Sequence, residues 1–69
     1  MSNYIFDGKG NVKLFWFRVY SSEKESEVLF TTDYNNGWNW AKDKIDDLKR
    51  IGKTNARCVW DYVWQPMQP

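Results

Sequence analysis

From Val12 to Tyr20 the chain alternates with a period of two, the signature of a strand. Leu14, Trp16, Arg18 and Tyr20 point one way, and Phe15, Phe17 and Val19 the other. Both sets are rich enough in apolar side chains to predict a central strand. Ser21 to Ser26 is polar and reads as a turn. Glu27 to Thr32 restarts the pattern, with Val28 and Phe30 facing opposite to Leu29 and Thr31. Thr32 to Gly37 reads as a loop that offers Asp33, Asn35 and Asn36 as helix caps. The period then changes. Trp38, Ala41, Ile45 and Leu48 form one apolar stripe, which predicts a helix over Trp38 to Ile51. Asp46 precedes Arg50 by four, Lys49 and Arg50 suit the C-terminal dipole, and Gly52 suits the position just past the end. Ala56 to Trp64 is the third strand, with Cys58, Trp60, Tyr62 and Trp64 on one side and Arg57, Val59, Asp61 and Val63 on the other. Turn chemistry at Asp7-Gly8-Lys9-Gly10-Asn11 marks residues 1–11 as an N-terminal arm, with Tyr4, Ile5 and Phe6 available to pin it to the domain. Residues 12–66 form a single domain, and 67–69 are a tail.

The order strand, strand, helix, strand limits the packing. A hairpin makes the first two strands antiparallel. The helix returns the chain, so the third strand runs antiparallel to the first. The expected fold is α+β: a three-stranded antiparallel sheet of order 2-1-3 with one helix on one face. The helix is expected to cover Phe15, Phe17, Val19, Val28, Phe30, Cys58, Trp60 and Tyr62. That leaves an open face of Leu14, Trp16, Arg18, Tyr20, Leu29, Arg57, Val59, Asp61 and Val63.

Composition sharpens this. A 69-residue chain has a limited core, and its five Trp, four Tyr and four Phe are the anchors available to it. Net charge is +1 with mixed signs, which argues against a polyanion-coating protein and against an acidic nucleic-acid mimic. There is no histidine, and Cys58 is the lone cysteine, so the common zinc sets and an internal disulfide are ruled out. The usual activated Ser and Cys nucleophiles lack their base. Ser21 and Ser22 sit in a turn, Glu23, Glu25 and Glu27 read as solvated acids, and Gly8-Lys9-Gly10 falls short of a phosphate loop. Asp43, Asp46 and Asp47 alternate with lysines, as on a solvated helix face. The expectation is a non-enzymatic protein with no cofactor and no metal. No apolar run suits a signal peptide or a membrane span, so a reduced, cytoplasmic setting is expected.

Aromatic residues and arginine are the types enriched at binding hot spots, so function is expected at the open face. The expected partner-binding residues are Trp16, Arg18, Tyr20, Arg57 and Asp61, with Glu23 and Glu27 as rim charges. Single-stranded nucleic acid is a second reading, with Trp16 and Tyr20 stacking on bases and Arg18 and Arg57 holding phosphates. Asp61 on the same face counts against it, as does the lack of RNP signatures. Self-association is a third, so a monomer and a homodimer are both open.

The run Phe15-Trp16, Val19, Ser21-Ser22-Glu23, Glu27-Val28, together with Met1-Ser2-Asn3, resembles the small RNA polymerase inhibitors of short-tailed coliphages, the gene-product-two family. The specific match covers about a fifth of the chain; chain length, element order and a proline-terminated last strand are also similar. The resemblance implies a phage protein that docks on the β′ jaw of bacterial RNA polymerase in the infected cell and blocks promoter engagement. The family's arginine pair falls at Val59 and Asp61 here, and its acidic first-strand residue at Tyr20, so those roles do not carry over. Its acidic helix face is here a mixture of Lys42, Asp43, Lys44, Asp46, Asp47 and Lys49. Arg18 and Arg57 are the available substitutes. A different host or defence protein as target is the alternative within the inhibitor class.

Overall fold

The computed structural model describes residues 4–67; the first three residues of the arm and the last two of the tail lie outside them. Four elements follow in order: β1 (Asn11–Tyr20), β2 (Ser26–Thr31), α1 (Tyr34–Arg50) and β3 (Arg57–Pro66). The sheet order is β2-β1-β3, and β1 is antiparallel to both neighbours. The fold is therefore the α+β arrangement that the alternation predicts, with the most apolar strand central.

Phe15, Phe17 and Val19 of β1 turn toward α1 and are buried together with Ala41. Trp38, Trp40, Ile45, Leu48 and Cys58 close around them. Each large apolar side chain removed from water contributes about 1.5–3 kcal/mol, so this small cluster is the main source of stability. Phe17 lies at its centre with no exposed surface. It stacks on Trp60 at 6.0 Å and meets Trp38 edge-on at 5.8 Å.

The helix begins at Tyr34, four residues before the expected start at Trp38. Asp33 is the N-cap, with Oδ1 accepting from the amide of Asn36 at 3.1 Å. Thr31 Oγ1 accepts from the amide of Asp33 at 3.0 Å and fixes the entry. The extra turn is held by tertiary packing: the Tyr34 ring sits 5.0 Å from Trp60 and 5.4 Å from Phe15. Gly37, expected as a loop residue, is inside the helix and buried. A Cβ there would overlap the Phe17 ring, lying 2.7 Å from its Cζ. The glycine lets the helix backbone rest on that ring. At the other end Gly52 takes φ +94°, and the amides of Gly52 and Lys53 reach back to the carbonyls of Lys49 and Leu48. This is the Schellman closure that a glycine past the last turn permits.

The second strand differs from expectation in register. Five residues, Ser21 to Glu25, connect the strands, and Tyr20 pairs with Ser26, Arg18 with Val28, and Phe17 with Leu29. Opposed residues share a face. Leu29 and Glu27 therefore lie on the helix side, and Val28 and Phe30 on the open side, the reverse of the expected assignment. A shift of one residue in pairing exchanges the two faces of a strand, and the turn length sets that shift. The third strand follows the expected facing, with Trp60 opposite Phe17 and Cys58 opposite Val19.

The arm folds back onto β1. Phe6 pairs with Val12, and the Ile5 carbonyl accepts from Lys13 at 2.8 Å. Asp7 holds the turn, accepting from the amides of Lys9 and Asn11 and from the Asn11 side chain at 2.7 Å. These bonds hold the Asp7 carboxyl below its ordinary value, the Asn11 side chain contributing most. The arm thus continues the β2 side of the sheet beyond the end of β2. The whole is an elongated slab of 45 × 25 × 17 Å.

A candidate partner-binding face

The side of the sheet away from α1 is a grid whose rows are set by the strand register. One row reads Phe30, Trp16, Asp61; the next Val28, Arg18, Val59; the next Ser26, Tyr20, Arg57. Leu14 pairs with Val63, and Val12 lies between Phe6 and Gln65. Five of the seven sequence-expected residues are thus brought together: Trp16, Arg18, Tyr20, Arg57 and Asp61. The central three, on β1, are half-buried between their neighbours. Phe30 is 58% exposed, and Val28, Val59 and Val63 are exposed as well. Contiguous apolar surface of this kind, with polar groups set in it, is typical of an interaction site.

Two guanidinium groups are oriented within the grid. Arg18 Nη1 donates to Ser26 Oγ at 2.9 Å. The Arg57 guanidinium stacks over the Tyr20 ring, 4.3 Å from its centre. Such stacking is worth about 0.5–1 kcal/mol at exposed sites. Its larger effect here is to hold a flexible cation in one place, which lowers the entropy a partner must remove. Asp61 makes no ion pair with either arginine among the described residues. Its Oδ1 instead accepts from the backbone amide of Tyr62 at 2.8 Å.

The two rim acids do not join the face. Glu27 is on the helix side, where its carboxylate meets Lys44 Nζ at 3.1 Å. The same change of register that turned Val28 and Phe30 outward places it on this side rather than at the edge of the open face. Glu23 lies in the hairpin turn beside a groove shared with Lys53, Asn55 and Arg57. A second groove, of about 680 Å³, runs between that turn and the end of α1, lined by Val19, Lys24, Glu27, Lys44, Leu48 and Ile51. Both grooves carry mixed charge.

Sequence reasoning missed Val28 and Phe30 as members of the face. The signal was the odd number of residues in the turn, which alone decides which parity of β2 joins Trp16 and Arg18. Phe6, expected among the residues that pin the arm, is placed opposite Val12 by the arm's turn and so adds to this face. Cys58 lies on the helix side, and burial pushes its thiol up from the ordinary value. Among the described residues, no group of three or more His, Cys, Asp or Glu gathers as metal ligands. No described helix is long and apolar enough to cross a membrane. The chain matches no family model, no curated protein and no solved structure.

Proposed function

We propose that this domain acts without catalysis, by stoichiometric binding of a protein partner through its open sheet face, and that it thereby inhibits a bacterial host machine. The observation that carries the binding reading is the grid itself. Exposed Phe30, Val28, Val59 and Val63 surround Trp16 and two arginines that are already oriented by Ser26 and Tyr20. A pre-ordered aromatic and arginine patch loses little entropy on binding, and such residues dominate interface energetics. Bacterial RNA polymerase, through its β′ subunit, is the first target in this reading. That choice rests on the resemblance of the Phe15–Val28 hairpin alone. Another host or defence protein is the alternative target for the same face.

The test begins with a pull-down from nuclease-treated bacterial lysate at moderate and at high salt, followed by in-vitro transcription with the purified chain. RNA polymerase subunits retained at high salt, and reduced promoter-dependent transcription, support the reading. Trp16→Ala and Arg57→Ala should each weaken capture, a central aromatic anchor being worth about 2 kcal/mol or more. Full binding by both variants, in protein that still folds, means that this face is not the site.

Single-stranded nucleic acid is the second reading, supported by three rings, Trp16, Tyr20 and Phe30, on one side of the sheet with two guanidiniums. It separates by salt. Phosphate contacts release counterions, so nucleic-acid binding falls steeply as salt rises. Binding anchored on buried rings changes little.

A further inference from the structure

β3 is an edge strand with an outer side unlike that of most soluble proteins. It runs ten residues, carries no proline before Pro66, and has only Arg57 and Asp61 as charges. Natural edges are usually kept short or blunted by lysine, proline or bulges. The amide of Met67 donates to the carbonyl of Gly10, which fixes the alternation of backbone bonds along the β1–β3 ladder. Odd-numbered β3 residues bond to β1. The amides and carbonyls of Cys58, Trp60, Tyr62 and Trp64 therefore point outward. The rings of Trp60, Tyr62 and Trp64 stand along this edge on the helix side, 40%, 41% and 42% exposed. Tyr62 and Trp64 meet edge-on at 6.1 Å, and Lys13 Nζ lies 4.2 Å from the centre of the Tyr62 ring. At the midpoint of the edge, the amide of Tyr62 is already taken by the carboxylate of Asp61.

We propose that the outer edge of β3 is a strand-addition site for a second copy of this chain, with Asp61 as the latch that covers its central amide in the monomer. The edge is self-complementary. A two-fold axis through Tyr62 sets Tyr62 against its copy and Trp60 against Trp64 of the other chain, so each outward amide finds an outward carbonyl. Opposed residues then face the same way, as an antiparallel pair requires. All three rings meet the three rings of the partner copy across the seam, and aromatic cross-strand pairs are among the favourable ones. On the other face Asp61 lies against Val63. The neighbouring register, centred on Asp61, would set two carboxylates directly opposite one another, which is unfavourable. The pairing overlaps residues 58–66 of both chains, nearly the full strand.

The helix allows it. α1 lies mainly over β1 and β2 and least over β3. In the joined sheet the two β1 strands are three strand spacings apart, about 14 Å. That exceeds the diameter of about 10–12 Å of a helix with its side chains. The rings would then floor a trough between the two helices. The two open faces would lie side by side on the opposite surface of one continuous sheet. The inference is independent of the partner assigned to that face.

The test is light scattering and sedimentation equilibrium on the full chain from micromolar to millimolar concentration, with amide hydrogen exchange read at both ends of the range. The expected result is a mass rising toward twice 8.3 kDa, with Trp60 and Trp64 amides becoming slower to exchange as it does. Asp61→Ala removes the competing bond in both copies, and we expect it to lower the dissociation constant about tenfold or more. Tyr62→Pro removes an outward amide at a position where edge strands accept proline, and it should hold the chain monomeric with an unchanged circular dichroism spectrum. If that variant does not fold, the wild-type exchange data decide alone. A chain that stays monomeric at millimolar concentration, with and without Asp61, overturns the proposal. So does a dimer whose Trp60 and Trp64 amides exchange as freely as in the monomer.

Discussion

Gly37 shows how one atom sets the distance between two layers. The helix rests on Phe17 because no Cβ intervenes, and Phe17 is fully enclosed and has nowhere to move. Alanine is the better helix former by about 1 kcal/mol. Overpacking a filled core costs about 1–3 kcal/mol, and here the obstacle is one side of the enclosed Phe17 ring. We therefore expect Gly37→Ala to lower stability by about 1–2 kcal/mol, read as a lower urea midpoint with an unchanged slope. Asp7 is a different case, a half-buried carboxylate whose charged form is favoured by hydrogen bonds, that of the Asn11 side chain first. Its folded value lies below the ordinary 3.8, so the bonds of its turn stabilise the arm above that value. They are lost as the pH falls through the lowered value. On acidification below about pH 3.8, contacts between Phe6 and Val12 should fade before those of the sheet, as followed by nuclear Overhauser effects across that pair. Asp7→Ala should show the same loss at neutral pH. Neither effect was readable from residue type alone. Gly37 looked like a loop glycine because its reason is a ring twenty residues earlier in the chain.

At the scale of elements, two decisions made locally have consequences across the sheet. Asp33 starts the helix a full turn early, which brings Tyr34 over Phe15 and Trp60. Replacing a cap of this type by alanine costs about 1 kcal/mol. Asp33→Ala should therefore lower the thermal midpoint by several degrees, about 4–8 °C per kcal/mol in a domain of this size. The helical stripe at Trp38, Ala41, Ile45 and Leu48 was legible because the core covers it, whereas the first turn reads as polar loop apart from Tyr34. The hairpin turn makes the second decision. With five residues between the strands, even-numbered positions of β2 join even-numbered positions of β1. The strands themselves were legible, and so was the facing of β1 and β3, whose inward sets are plainly apolar. β2 was ambiguous. Val28 and Phe30 on one side and Leu29 with Glu27 on the other give no decisive contrast, so the pattern alone does not orient it. Lys44, reaching from α1 to Glu27, marks the side that the turn selects.

The whole molecule is more extended than its length requires. Its radius of gyration is 14.1 Å, where a compact chain of this size has about 11 Å. Its accessible surface is 5184 Å², against about 4,600 Å² for a folded monomer of its mass. One helix cannot cover a sheet with two ten-residue strands, so an apolar face and a ring-lined edge remain in water. The two surfaces meet at Asp61, and variants away from it should separate. Trp16→Ala and Arg57→Ala act on the face and should reduce partner capture without changing self-association. Tyr62→Pro acts on the edge and should change the mass in solution; Asp61 belongs to both surfaces, so Asp61→Ala should change both the mass and partner capture. A variant of one class with the effect of the other would show that face and edge form a single interface.

The alternation of β1 and β3 and the stripe of the helix determine the α+β order, the central strand and the membership of Trp16, Arg18, Tyr20, Arg57 and Asp61 in one face. Those features follow from periodicity, which is a local property of the chain. The orientation of β2, the place of Gly37 against Phe17, the stacking of Arg57 on Tyr20 and the latch of Asp61 on the Tyr62 amide were decided only in three dimensions. Each depends on which residues a turn or a neighbouring strand brings opposite. A pattern of apolar and polar positions shows that a strand has two faces; the pairing register decides what each of them meets.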